Sequence, residues 1–150
     1  MPWQQNAGLA CETDVGLPVL IFADDPACER TLAGLSVLER LIIAAHEAGA
    51  TAIFIQQGET EPKFTALTRL KIEVHLTRDE PALHEPTLLI PGNLALQRAD
   101  LERVMNKQGR LHGPGHELLP CGVAMEWAGS LEASLPRRPK VEAHGVAQPV

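Results

Sequence analysis

A chain of 150 residues, of which 45% are hydrophobic and 21% charged, is long enough for one globular domain, and its composition excludes disorder throughout. A formal net charge of -6, with no Tyr, three Phe and two Trp, excludes a typical nucleic-acid-binding protein, which needs basic patches and stacking rings. No apolar run reaches the roughly 18 residues of a membrane span, no basic signal-peptide start is present, and three scattered cysteines fit a reducing compartment. We therefore expect a cytoplasmic protein.

The N-terminal part predicts a loose lead-in followed by a buried strand. Residues 1–16 lack apolar periodicity, and we place a single domain at 17–135. Residues 18–23 form a continuous apolar run that is closed by Asp24-Asp25-Pro26. Such a run is typical of a strand that is buried on both faces and ends at a polar loop.

A strong helix and a second strand follow. From Ser36 to Gly49 the apolar side chains recur at helical spacing, and Glu39 can complete a capping box with Ser36. Residues 50–55 are again apolar and β-branched, which favours a second buried strand. A strand, a helix and a strand in succession predict a parallel βαβ unit.

The remaining elements are shorter. The patterns predict helices over 63–70 and 94–106, strands over 72–76 and 87–90, and, after Gly109, only short elements at 117–119, 123–125 and 132–135. Residues 136–150 are Pro-rich and predict a tail or a last strand. We expect a three-layer α/β/α domain with a mostly parallel central sheet and helices on both faces.

Ligands of open parallel sheets bind beyond the carboxyl ends of the strands, which directs attention to the loops 23–34, 56–61 and 91–94. The candidate binding residues in these loops are Asp24, Asp25, Arg30, Gly34, Gly58, Gly92 and Asn93. Two structural alternatives remain open, because Asp25 before Pro26 can simply begin a turn and Gly58 can simply turn the chain. No standard metal-binding spacing is present, so no residue is assigned to a metal.

Two stretches of the sequence resemble a known family. The segment Gly34-Leu35-Ser36-Val37-Leu38-Glu39-Arg40, followed by Ala48-Gly49-Ala50 and an apolar strand, is similar to the nucleotidyltransferases, and so is TLLIPGNLAL at 87–96. These include the sugar-phosphate and inositol-phosphate nucleotidylyltransferases and the molybdenum-cofactor guanylyltransferases, which share the nucleotide-diphosphosugar transferase fold. The likeness spans about residues 17–105. It implies a shortened domain of that fold, binding a nucleotide or a phosphorylated small molecule.

The departures from the family pattern bear on catalysis. The loop 23–34 has no Gly before Gly34, no Lys and three carboxylates, so Arg30 is its one candidate phosphate contact. The family's metal-binding acidic position falls near Gly92 and Asn93, and a neutral amide is a weaker Mg²⁺ ligand than a carboxylate. We expect weak or lost catalysis and assign no catalytic residue. If activity persists, the resemblance implies Mg²⁺-dependent nucleotidyl transfer to a phosphorylated sugar or polyol.

A further resemblance suggests a different role. Degenerate domains of this kind look like the cytosolic N-terminal part of some bacterial CDP-alcohol phosphatidyltransferase family proteins. The alternative function is therefore a non-catalytic regulatory or protein-interaction domain associated with phospholipid synthesis. Such a domain would bind a protein partner or form a homodimer.

Overall fold

The structure, a computed structural model, describes residues 16–24, 31–32, 35–58, 64, 66–94, 96–113, 115 and 117–143. Its strands are β1 (Pro18–Ala23), β2 (Thr31–Leu32), β3 (Leu35–Ser36), β4 (Ala52–Gln57), β5 (His75–Thr77), β6 (Thr87–Pro91), β7 (Arg110–His112), β8 (Leu118–Ala124) and β9 (Lys140–Glu142). Its helices are α1 (Val37–Glu47), α2 (Ala66–Leu70), α3 (Arg98–Lys107) and α4 (Leu131–Ser134). No helix among these residues combines the length and the apolar character of a membrane span.

Seven strands form one mostly parallel sheet in the order β5-β4-β1-β6-β8-β7-β9. Strand β1 lies inside the sheet and pairs in parallel with β4 on one side and β6 on the other. Strand β8 is antiparallel to both its neighbours, whereas β7 and β9 are parallel to each other. The α/β class and the parallel βαβ unit predicted from the sequence are thus confirmed. A separate antiparallel ribbon pairs β2 with β3.

Helix α1 begins with the predicted capping box. The Ser36 hydroxyl accepts a hydrogen bond from the Glu39 backbone N–H at 3.0 Å, and the Glu39 carboxylate accepts from the Ser36 backbone N–H at 3.4 Å. Each bond satisfies a donor that a helix N-terminus otherwise leaves unpaired. After the helix, Gly49 has a φ of +101°, a conformation that glycine adopts without a Cβ penalty.

Helices cover the two faces of the sheet unequally. On one face, here called the helical face, the aliphatic sides of α1, α2 and α3 pack on the sheet, and the main core lies between them. On the opposite face, called the second face, a smaller cluster joins Leu20, Leu89, Ala124 and Leu135, and α4 is the helix that packs there. The predicted three-layer arrangement is confirmed, with a thin third layer.

The sheet reverses its winding next to β1. Strands β4 and β5 lie on one side of β1, and β6 lies on the other, so the chain must return across the sheet after β5. The segment 78–86 makes this crossover without a helix, and its Leu83 packs on the second-face cluster. The carboxyl ends of β1 and β6 therefore flank a topological switch point, where open α/β sheets bind ligands.

Several predicted boundaries were wrong for identifiable reasons. Helix α3 begins at Arg98 rather than near residue 94, because Leu94 and Leu96 are buried in the core as loop residues. Strand β7 and the continuous strand β8 were not predicted, because the segment after Gly109 is rich in Gly and Pro, which interrupt the pattern of a strand. Strand β8 contains Pro120, and the register between β7 and β8 is irregular beside it, which is where a sheet tolerates proline.

The ends of the chain bear on the predicted domain limits. The lead-in 1–16 lies outside the described residues except for Gly16, and the boundary at 135 stays a prediction. Beyond that boundary, β9 pairs with β7 at the edge of the sheet, from Arg110 opposite Lys140 to His112 opposite Glu142.

Candidate ligand-binding site

Four of the predicted binding residues meet at the switch point. Asp24 follows β1, Gly58 follows β4, and Gly92 and Asn93 follow β6. Because these strands are parallel and adjacent, their carboxyl ends lie side by side at one edge of the sheet. The topology therefore brings these four predicted residues to one edge of the sheet.

Backbone contacts hold this edge closely packed. The Gly92 N–H donates a hydrogen bond to the Phe22 carbonyl at 2.7 Å, so the turn after β6 is fixed to the end of β1. A Cβ atom placed on Gly58 would lie 3.2 Å from both Cα and Cβ of Asp24. Gly58 therefore permits a close approach between the chain after β4 and the chain after β1.

A cavity of about 300 Å³ opens at this edge, here called the edge cavity. Its polar lining consists of Asp24 and Asn93, and its apolar lining of Phe22, Pro91, Trp127 and Leu131. Asp24 is exposed and Asn93 is half-buried. This volume is at the lower end of those of small-molecule sites, and apolar walls with a few polar groups are typical of them.

The aromatic wall of the edge cavity was missed by the sequence interpretation. Trp127 stacks on Phe22 with the ring centroids 5.8 Å apart and the planes at 26°. Its indole N–H donates to the Glu80 carboxylate at 3.0 Å, which links the wall to the crossover 78–86. No local signal marks Trp127, because it lies in a Gly/Pro-rich segment more than 100 residues after Phe22.

The position of Leu131, another apolar wall residue of the edge cavity, depends on a buried arginine. Arg110 is 2% exposed, and its guanidinium donates to the backbone carbonyls of Leu119 and Pro136. It also contacts the Glu132 carboxylate of α4 at 3.3 Å. These bonds fix the segment that carries Leu131 against the second face, so Arg110 positions a wall that it does not line.

Three predicted binding residues, Asp25, Arg30 and Gly34, lie outside the described residues. The described part of the lining contains one carboxylate and no Lys or Arg. Phosphate would be repelled by that carboxylate unless a cation lies between them. The described side of the edge cavity therefore lacks the positive charge that a nucleotide requires.

The fit to a divalent cation is incomplete in the described part of the chain. Asp24 supplies a carboxylate and Asn93 an amide oxygen, both of which are oxygen ligands that Mg²⁺ accepts. Within the described ranges, no three His, Cys, Asp or Glu side chains lie close enough together to hold a metal ion. These two oxygens alone do not form a protein metal site.

Solved structures show what this fold is similar to. Rv0371c from Mycobacterium tuberculosis H37Rv is similar with a TM-score of 0.51 at 11% identity, over 89% of this chain and 92% of that one. The complex of Rv0371c with manganese gives a TM-score of 0.50 at 13% identity, over 85% and 87% of the two chains. These identities show a shared fold and nothing beyond it.

A nucleotidyl transferase from Methanothermobacter thermautotroptrophicus, Mth528, has a TM-score of 0.49 at 16% identity, over 66% of this chain. The present chain spans 61% of the length of that transferase. No protein-family model and no curated protein sequence matches the chain.

Proposed function

We propose that this chain is a nucleotidyltransferase-like domain that binds a nucleotide or a phosphorylated small molecule in the edge cavity. The observation that carries the proposal is that Asp24 and Asn93 line one cavity at the switch point between β1 and β6. Ligands of open α/β sheets bind at such a point. The resemblance of residues 34–40 and 87–96 to nucleotidyltransferases, noted above, supplies the chemical class.

Each candidate residue has a proposed role. Arg30 is proposed to neutralise phosphate charge, and Asp25 and Gly34, which like Arg30 lie outside the described residues, are proposed to contact the same ligand. Gly58 and Gly92 shape the site from behind its lining, because Gly58 permits the close approach of Asp24 and Gly92 fixes the turn after β6 to the end of β1. Asp24 and Asn93 offer oxygen atoms to a cation or to hydrogen-bond donors of the ligand.

A divalent cation would offset the repulsion between the Asp24 carboxylate and the phosphate groups of a ligand. A cation between Asp24 and the phosphates turns repulsion into attraction on both sides. We propose Mg²⁺ for this role, and the manganese complex of Rv0371c supports testing Mn²⁺ as well. With Asp24 and Asn93 as the described donors, the remaining ligands would come from the phosphates, as is usual for Mg²⁺.

If catalysis persists, the reaction is nucleotidyl transfer to a phosphorylated sugar or polyol. A phosphate oxygen of the acceptor attacks the α-phosphorus of the nucleoside triphosphate, and pyrophosphate leaves with the bonding electron pair. Arg30 would offset the negative charge that develops on the phosphoryl oxygens. We propose that this activity is weak or lost, since the described edge supplies a single carboxylate.

The test is a calorimetric and thermal-shift titration with CTP, GTP, ATP and UTP, each with Mg²⁺, with Mn²⁺ and with a chelator. Binding of one nucleotide only when the cation is present supports the proposal, because a ligand that binds the native state raises the melting temperature. Asp24→Asn and Arg30→Ala should each weaken that binding several-fold. The matched controls are the exposed Glu73→Gln, at the start of the segment leading into β5, and Arg69→Ala on α2. Equal affinity of all four variants would overturn the site assignment.

The second candidate function is a non-catalytic regulatory or protein-interaction domain. In the described part of the edge cavity, one carboxylate and one amide are the available metal donors, and so few donors favour a non-catalytic domain over an active transferase. Such a domain would bind a protein partner saturably or form a homodimer, and it would respond to none of the four nucleotides. The association with CDP-alcohol synthesis stays a prediction from the sequence resemblance.

A further inference from the structure

A second and larger cavity lies on the second face of the sheet and shares no lining residue with the edge cavity. It has a volume of about 390 Å³ and lies between the crossover 78–86 and the strands β4 and β5. It exists because the crossover is an irregular chain rather than a helix, and so covers the sheet incompletely. We call it the crossover cavity.

The floor of the crossover cavity is apolar and aromatic. Leu20 and Phe54 line it from the sheet, and Pro81 and Leu83 line it from the crossover. Phe54 is 37% exposed, which is a large exposed fraction for a Phe in the interior of a sheet. Its ring lies 5.2 Å from the His75 ring, with the planes at 31°, and this contact fixes the aromatic surface in place. An apolar or aromatic ligand would remove this surface from water.

One polar group of this lining lacks a partner. The Gln56 side-chain oxygen is buried and makes no hydrogen bond within the described structure. A buried acceptor without a donor costs about 1–3 kcal/mol, and a ligand N–H in the cavity gains that bond once the Gln56 amide turns its oxygen toward the cavity. Gln56 alternates with Ile53 and Ile55 along β4 and therefore faces the crossover cavity, as its place in the lining also indicates.

The charged residues around the crossover cavity determine which ligand charge it favours. Asp79, Glu80 and Glu85 line it together with His75 and His84, and no Lys or Arg is among the described lining residues. Three carboxylates repel phosphate and carboxylate groups and attract a cation. In the absence of a bridging cation, these carboxylates favour an organic cation over a phosphorylated nucleotide, which separates this cavity from the function proposed for the edge cavity.

We propose that the crossover cavity is a binding site for a small organic cation with an aromatic body, of the arylalkylammonium class. The aromatic ring packs on Phe54 and Leu83. The ammonium group donates to the Gln56 oxygen and is attracted by the carboxylates of Asp79 and Glu85. An ammonium near the face of Phe54 also gains a cation–π interaction.

The test compares three probes that share one indole ring. Tryptamine carries an ammonium group, tryptophol carries a neutral hydroxyl in its place, and indole-3-acetate carries a carboxylate. Calorimetric titration should give one-to-one binding of tryptamine, binding of tryptophol weaker by about tenfold, and none of indole-3-acetate. Equal affinity for all three probes, or no binding of tryptamine at millimolar concentration, would overturn the proposal.

Variants assign the binding to this cavity. Gln56→Leu keeps the side-chain size and removes the acceptor, so tryptamine affinity should fall by about tenfold. The matched control is Gln57→Leu, because the Gln57 oxygen is also buried without a partner, but its side chain faces the opposite side of β4. Phe54→Ala should weaken tryptamine by about two- to fivefold, and the exposure of Phe54 makes unfolding an unexpected result. If Gln57→Leu weakens binding as much as Gln56→Leu, the assignment is wrong.

A last comparison separates the two sites. Asp24→Asn should leave tryptamine affinity unchanged, because Asp24 lines the edge cavity and not the crossover cavity. A domain that binds tryptamine but no nucleotide would overturn nucleotide binding in the edge cavity and support this inference. A domain that binds a nucleotide but not tryptamine would do the reverse.

Discussion

The indole ring of Trp127 stacks on the phenyl ring of Phe22 and donates a hydrogen bond to Glu80, so one side chain joins three distant parts of the chain. The ring contact connects the segment after β8 with the end of β1. The hydrogen bond connects the same segment with the crossover 78–86. Trp127 thereby forms a wall of the edge cavity and holds the crossover that covers the second cavity.

The two contacts of Trp127 can be separated by mutation. Trp127→Ala removes the stacked ring and should lower the free energy of unfolding by about 2 kcal/mol, less than for a fully buried Trp because this one is half-buried. Trp127→Phe keeps a ring and loses the hydrogen bond to Glu80, and it should cost less than about 1 kcal/mol. Urea denaturation measures both. Equal losses for the two variants would show that the ring contact with Phe22 contributes nothing.

The buried Arg110 gives a second stability prediction. Arg110→Ala leaves the carbonyls of Leu119 and Pro136 without their donor and should lower the free energy of unfolding by about 3 kcal/mol. Glu132→Gln should cost less than about 1 kcal/mol, because the Glu132 side chain is 72% exposed and exposed ion pairs contribute little. Arg110→Lys should not restore stability, since an ammonium cannot reproduce the planar fork of donors. Denaturant titration of the three variants measures these changes. An Arg110→Lys variant as stable as the unmodified chain would contradict this account.

The sequence predicted the half of the sheet from β5 to β6 far better than the half from β8 to β9. Strand β1, helix α1 and strand β4 were recognised because an apolar run, a capping box and a β-branched run are local signals. The elements β7 and β8 were not, because β8 contains Pro120 and Gly122. Gly122 is required there by tertiary packing, since a Cβ at that position would lie 2.8 Å from the Gly109 carbonyl oxygen. Such a reason cannot be read from local sequence.

The candidate site was predicted in part for a similar reason. Asp24, Gly58 and Asn93 end strands that the sequence identifies, so the rule for open α/β sheets brought them to one edge. Trp127 and Arg110 belong to the segment whose elements were not identified, and their roles depend on contacts with residues far away in sequence. The crossover cavity was missed because it results from the absence of a helix over 78–86, which no residue motif marks.

The close approach of Gly58 to Asp24 predicts an effect on ligand binding. Gly58→Ala places a Cβ 3.2 Å from the Asp24 backbone and Cβ, so Asp24 must shift by a few tenths of an ångström. Nucleotide affinity should fall several-fold, while the free energy of unfolding should change by less than about 1 kcal/mol. Gly49→Ala is the matched control. It has open space around its Cβ but a φ of +101°, so it should lower stability without changing nucleotide affinity. Loss of affinity in Gly49→Ala alone would contradict this assignment.

The buried thiol of Cys121 predicts how stability changes at high pH. Burial raises the pKa of Cys121 from 9.0 to about 12 in the folded protein, because the desolvated thiolate is disfavoured. Well below pH 9 the thiol is protonated in both the folded and the unfolded chain, and there it contributes no pH dependence. Between pH 9 and about 12 the unfolded chain releases this proton and the folded chain keeps it, so stability falls by up to about 1.4 kcal/mol per pH unit.

Other groups titrate in the same range, so this effect is measured as a difference. In a background with Cys11 and Cys28 replaced by Ser, urea denaturation from pH 8 to 11 should show a steeper loss of stability for the chain with Cys121 than for Cys121→Ala. The native thiol should also react with a disulfide reagent only at the rate of unfolding, because the thiolate is the nucleophile and the folded chain lacks it. Parallel pH curves for the two chains, or rapid labelling of the native protein, would show that Cys121 is accessible to water rather than buried between the sheet and α3.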